Sequence, residues 1–218
     1  VNCLLMRGGM FVIYTSNLMF HAAVPINEDG TMREVVFDGV PVKGKELMKK
    51  VERMARTAFD SDVDEATREK YADFFWYLWC GPESPLFGKA KMATFERYLL
   101  DDKEVQKEPK GWYYILRDNA EVCDYILDEF GVKGNHRHII NGHVPVHVTR
   151  GENPSKAGGK LMVIDGGFSR AYHQTTGIAG YTLVYHSRGF QLIQHEPFTS
   201  TKILLDRCCF SCWALVLS

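Results

Sequence analysis

Ile139-Ile140-Asn141-Gly142-His143-Val144-Pro145-Val146 is the stretch on which the fold turns. A β-prone run ends at Asn-Gly, and a histidine sits just past the strand's carboxyl end. In open α/β sheets ligands bind in the crevice outside the strand ends. Gly142 lets the backbone turn tightly and Pro145 stiffens the exit, so the imidazole would be held in one place. Such a histidine is either satisfied within its own loop or presented to a ligand, and its position alone leaves both readings open. Leu18-Met19-Phe20-His21-Ala22-Ala23-Val24-Pro25 repeats the grammar: strand, histidine, small residues, proline. Two imidazoles presented this way suit a divalent transition metal, with carboxylate or amide ligands still to be found elsewhere.

Outward from these two segments the period of the apolar residues sorts the chain. Met10–Tyr14 and Leu18–Val24 read as a strand pair around Thr15-Ser16-Asn17. Val35–Phe37 and Val40–Val42 flank Asp38-Gly39, a hairpin turn dipeptide. From Gly44 the spacing of Leu47, Met48, Val51, Met54, Ala55 and Ala58 makes one helical face. Asp64–Trp79 is a second helix ending in aromatics, Gly81-Pro82 and Ser84-Pro85 open a loop, and Met92–Leu100 is a third helix. Asp118 with Glu121 resembles a capping box for a helix that runs to Phe130 and stops at Gly131. Arg137–Ile140, Lys160–Ile164, Gly180–Tyr185 and Phe190–Gln194 read as strands. Strands, helices and strands again predict an α/β layer architecture in one domain, with residues 201–218 as an atypical tail.

Composition narrows the classes of function. The 218 residues carry 26 Lys+Arg against 27 Asp+Glu, so no global field draws nucleic acid or an anionic membrane. Hydrophobic residues at 45% supply a core and argue against disorder. No stretch has the roughly 18 uninterrupted apolar residues of a spanning helix, and no secretory signal pattern is expected at the start. Cysteines 3, 80 and 123 stand singly in apolar surroundings, which fits reduced thiols and a cytoplasmic protein. Cys208, Cys209 and Cys212 would make at most half a zinc site, and Ile203–Ser218 reads as a frayed end without an element of its own.

Two further groups could carry chemistry. Lys160–Ile164 leads into Asp165-Gly166-Gly167-Phe168-Ser169-Arg170, a glycine-rich loop with an acid and an arginine, which is either a phosphate cradle or a plain turn. Phe87-Gly88-Lys89-Ala90-Lys91 with Arg97 is a basic group beside the aromatic helix, a kind of cluster that is usually just a solvated face.

Taken together, Trp76–Gly81, Ser84–Lys89, Thr94–Tyr98, His138–Val146, Val163–Tyr172 and Thr176–Leu183 resemble the class III fructose-1,6-bisphosphatases over roughly residues 5–200. These are gluconeogenic bacterial enzymes of the calcineurin-like metallophosphatase superfamily. The resemblance implies a β-sandwich flanked by helices and a two-metal centre, usually manganese, at the strand ends. It implies hydrolysis of the 1-phosphate of fructose 1,6-bisphosphate by a metal-activated water. It places His21 and His143 on the same ion of the pair, with Pro145 standing where many relatives carry another histidine. Lys89, Arg97 and Arg170 are the expected contacts to the substrate's phosphates. The family's earlier motifs, Asp-x-His, Gly-Asp-x-x-Asp-Arg and Gly-Asn-His-Asp/Glu, bring most carboxylates and the catalytic acid, and none of them occurs here. Gly134-Asn135-His136 is the one near match, with Arg137 where an acid is needed. The implied chain is therefore the carboxyl-terminal part of the enzyme, 1–200, with the catalytic residues in a missing amino-terminal part that would be its partner. Alone it is expected to be inactive and to aggregate or depend on that partner. The alternatives are another calcineurin-like phosphoesterase, acting on proteins or nucleotides, and a non-catalytic remnant.

Overall fold

The computed structural model describes residues 2–147, 150–165, 180–186, 189–195 and 214–217. A short helix α1 (Asn2–Arg7) precedes the hairpin β1 (Phe11–Tyr14) and β2 (Asn17–Phe20). The hairpin β3 (Val35–Phe37) and β4 (Val40–Val42) follows, then helices α2 (Gly44–Thr57), α3 (Glu65–Cys80), α4 (Thr94–Leu99), α5 (Trp112–Leu116) and α6 (Ala120–Glu129). The chain then returns to strands: β5 (His138–Asn141), β6 (Ser155–Lys156), β7 (Leu161–Val163), β8 (Tyr181–His186), β9 (Gly189–Gln194) and β10 (Ala214–Leu217). The mixed α/β class expected from the sequence is what forms.

Five strands make one sheet in the order β1-β2-β5-β7-β6, with β2, β5 and β7 parallel at its centre. Side chains alternate across such strands, and each face finds its own partner. Leu18, Ile139 and Leu161 turn towards α6 and pack with Ile126, Leu127 and Phe130, all of them fully buried. Ile140 and Met162 turn the other way, onto Phe190 of β9. The central sheet thus lies between helices on one side and the three-stranded sheet β10-β9-β8 on the other. The apolar stripe of α2 puts Leu47 and Val51 against Val35 and Leu78, fastening the β3–β4 hairpin and α3 to the body.

Several local expectations need correction. The run Leu18–Val24 is extended only as far as Phe20, because the Ala23 N–H goes to the Pro85 carbonyl and not to a sheet neighbour. The cap of α6 is Asn119, whose Oδ1 accepts from the Glu121 and Val122 N–H groups. Asp118 instead accepts from the Ala157 N–H at 2.6 Å, across the fold. The segment 203–218 is not wholly without an element: Ala214–Leu217 pairs antiparallel with Phe190–Ile193. Among the described residues no helix is long and apolar enough to cross a membrane.

Candidate functional site

The three parallel strands each deliver a polar side chain to the same end of the sheet. His21 follows β2 directly, His143 lies two residues beyond β5, and Asp165 two beyond β7. The two imidazoles meet: His21 Nε2 lies 3.1 Å from His143 Nδ1, and the rings stand edge to face with centroids 4.9 Å apart. The other nitrogen of His143, Nε2, lies 3.0 Å from the Phe87 carbonyl oxygen. A carbonyl only accepts, so Nε2 carries the donating N–H and Nδ1 turns a bare lone pair towards His21. Burial first, and then the His21 imidazole, lower the pKa of His143 below its ordinary 6.5, against the opposing pull of Phe87 and Asp165. The ring is kept neutral, the form in which imidazole binds a metal.

A dense set of hydrogen bonds holds this pair. His143 itself sits at φ +68, a region L-residues occupy only when their surroundings impose it. The Gly142 N–H donates to the His21 carbonyl at 2.9 Å, joining the two histidine loops directly. A β-carbon at Gly142 would lie 3.2 Å from Asp165 Cβ, a tight approach that glycine makes without displacing its neighbour. Asn141, 2% exposed, donates from Nδ2 to the Ala22 carbonyl at 3.0 Å and to the Tyr113 hydroxyl oxygen at 2.8 Å. The Tyr114 hydroxyl donates to the same Ala22 carbonyl at 2.9 Å. Asn141 Oδ1 is buried with no hydrogen-bond partner among the described residues.

Cavities open on both sides of the pair. One of about 480 Å³ is lined by His21, His143, Lys89, Glu108, Phe75 and Trp79. Another of about 390 Å³ is lined by His21, Asn141, His143 and Asp165, beside Phe11 and Ile140. Two nitrogens bound to one ion at 2.0–2.1 Å stand about 2.9–3.4 Å apart for the usual angles, so the observed 3.1 Å fits one edge of a coordination shell. A backbone carbonyl orienting the far nitrogen of His143 is the usual outer support of such a ligand. Among the described residues no group of three or more His, Cys, Asp or Glu could hold an ion, so the pair is one edge and not a whole site.

The two histidines singled out in the sequence are brought together. Lys89 joins them in the larger cavity, but its ammonium lies 2.5 Å from Glu108 Oε2. Arg97 lines neither cavity; its Nη2 is 3.4 Å from the same Glu108 oxygen and its Nε donates to the Gln106 carbonyl. Burial works to raise the pKa of Glu108, and the hydrogen bonds from Lys89 and the Ala93 N–H outweigh it, leaving the carboxyl below its ordinary value. Arg170 lies outside the described residues. Gly134-Asn135-His136 does not join the imidazole pair; Asn135 and His136 line a different cavity. Asn141, Tyr113 and Glu108 were not foreseen as site residues. Asn141 stood in the quoted motif, but nothing in the sequence pairs it with Ala22, 119 positions away.

The family described as Firmicute fructose-1,6-bisphosphatase matches residues 1–210. A protein of Phocaeicola vulgatus named fructose-1,6-bisphosphatase class 3 is 62% identical over 206 residues, 94% of this chain and 31% of the relative. Relatives of the same name from Bacteroides thetaiotaomicron and Clostridium botulinum are 58% and 52% identical over 94% and 89% of the chain. The chain spans about a third of the length of these relatives, 31% and 29%. No solved structure matches it.

Proposed function

The chain belongs to the Firmicute fructose-1,6-bisphosphatase family, and from that premise we propose that it is the carboxyl-terminal part of a metal-dependent phosphatase of calcineurin-like fold. The proposed reaction, a step of gluconeogenesis in the cytoplasm, is hydrolysis of fructose 1,6-bisphosphate. Water adds to the 1-phosphorus, the bond from phosphorus to the sugar oxygen breaks, and that oxygen leaves with a proton as fructose 6-phosphate is released beside inorganic phosphate. The observation that supports it is the His21–His143 pair at the strand ends, with nitrogens 3.1 Å apart and one ring oriented by a carbonyl.

In this reading His21 and His143 hold one manganese ion of a pair. Bound manganese would neutralise charge on the phosphoryl oxygens and make a water more acidic. The remaining ligands and the catalytic acid come from the part of the relatives this chain does not span. Lys89 faces the cavity from beside Glu108 and exchanges part of that ion pair for a substrate phosphate. Trp79 and Phe75 give the same cavity an apolar wall against which a sugar face can lie.

The test joins this chain to the remaining segment of a relative and measures phosphate release with manganese. Faster release from fructose 1,6-bisphosphate than from a phosphopeptide or a nucleotide is expected, with His21→Ala and His143→Ala each abolishing it. Preferential release from the phosphopeptide would refute the sugar assignment.

A further inference from the structure

A cavity of about 870 Å³, larger than either beside the imidazole pair, lies at the other end of the same strands. Asn17 of β2 stands opposite His138 of β5 in the parallel ladder, and about 10 Å of strand separates this end from the one that bears His21 and His143. The volume is in the range of small-molecule sites. Arg137, Lys160, His136, His138 and His186 are part of its wall, and among the described residues no Asp or Glu lines it. These donors arrive from different directions: the start of β5, the turn before β7 and the β8–β9 hairpin. On one side the backbone is open, because a β-carbon at Gly158 or Gly159 would meet nothing within 4 Å. Tyr185, 54% exposed, stands at the edge against Phe190.

The acids that answer these cations, Asp124 and Asp128, do not line the cavity. One oxygen of Asp124 accepts from Lys160 Nζ at 2.8 Å and from Arg137 Nη2 at 3.1 Å, and Asp128 accepts from Arg137 Nη1. They fix the two cations in place as a preformed pair of donors, with further N–H groups of the Lys160 ammonium left for a ligand. His138 Nδ1 is 3.2 Å from Asn17 Oδ1, and its ring stands on edge to Phe190. Burial first, then His136 and Lys160, push the pKa of His138 down.

We propose that this cavity is a second ligand site, separate from the imidazole pair, that takes a small phosphate-bearing anion. A tetrahedral phosphate has three acceptor oxygens to meet donors arriving from three walls, whereas a planar carboxylate meets only one or two of them. Loss of hydrolysis at the imidazole pair leaves this site untouched, so the two readings stand or fall separately. The experiment titrates the chain with inorganic phosphate and, separately, with glycerol 2-phosphate, by calorimetry and by NMR of the imidazole rings without added metal. Saturable binding is expected to move the ring signals of His136, His138 and His186 and to leave those of His21 and His143 in place. Tighter binding of the ester identifies an organic phosphate as the ligand, and equal binding identifies the free ion; both support the site. Lys160→Gln and His186→Gln are each expected to weaken binding roughly tenfold. Where a variant does not fold, the map on the unsubstituted chain decides. No saturable response, movement confined to His21 and His143, or an equal response to acetate overturns the proposal.

Discussion

Asn141 joins the two histidine loops through a single side chain. Its amide reaches the Ala22 carbonyl, next to His21, from a position two residues before His143. Asn141→Ala removes that clamp without touching either imidazole, so manganese affinity should fall about tenfold or more, as for other outer-support residues of metal ligands. Isothermal titration with manganese of this chain joined to the remaining segment of a relative checks this, and an unchanged affinity would show that the clamp is dispensable. Glu108 makes a second prediction. Its folded pKa lies below the ordinary 4.5, so its contribution to stability is present above that value and is lost as pH falls through the lower folded value. Glu108→Gln should lower stability by about 1–3 kcal/mol at neutral pH and flatten the fall in melting temperature below pH 4.5; parallel pH profiles for the two proteins would sink it. At this scale the histidines were legible because each follows an apolar run and precedes a proline. The pairing of Lys89 and Arg97 with Glu108 was not, since a charge pattern does not say which acid folds back onto it.

Helices and strands show where a sequence pattern is strong enough to place an element. Fourteen residues of α2 let the apolar stripe repeat, so its face was readable, whereas α5 has five residues and cannot display a period. The start of α6 is a case of two competing caps. Asp118 and Asn119 are both good capping residues, and only the approach of Ala157 draws Asp118 away. Asn119→Ala should therefore destabilise the protein by about 1 kcal/mol, a melting shift of about 2–4 °C for a protein of this size. Asp118→Ala should leave the α6 amides protected and expose the Ala157 N–H. Hydrogen exchange separates the two, and loss of α6 protection in Asp118→Ala would contradict the assignment.

At the scale of the whole molecule the central sheet has an unguarded side. β1 ends the five-stranded order, and Val12, Ile13 and Tyr14 along it are all exposed. Long aromatic and aliphatic side chains of α3 and α4 add to the apolar surface, with Trp76, Trp79, Tyr98 and Leu99 more than half exposed. Among the described residues nothing pairs with the outer edge of β1, and such an edge invites association. Sedimentation should show a mass that grows with concentration, and Val12→Lys with Tyr14→Lys should reduce it; a monodisperse monomer at all concentrations would refute this. The sequence by itself determined the α/β class, the helix face of α2 and the two histidines past the strand ends, because periodicity and strand-end chemistry are local properties. It also determined the family resemblance, which rests on motifs in order along the chain. Only the tertiary structure decided that His21 and His143 touch, that Asn141 clamps their loops, and that Glu108 gathers Lys89 and Arg97. The first two are contacts between residues up to 122 positions apart, and they come from parallel strands packed side by side, an arrangement no local pattern encodes; the third is a loop closing on itself between residues 89 and 108.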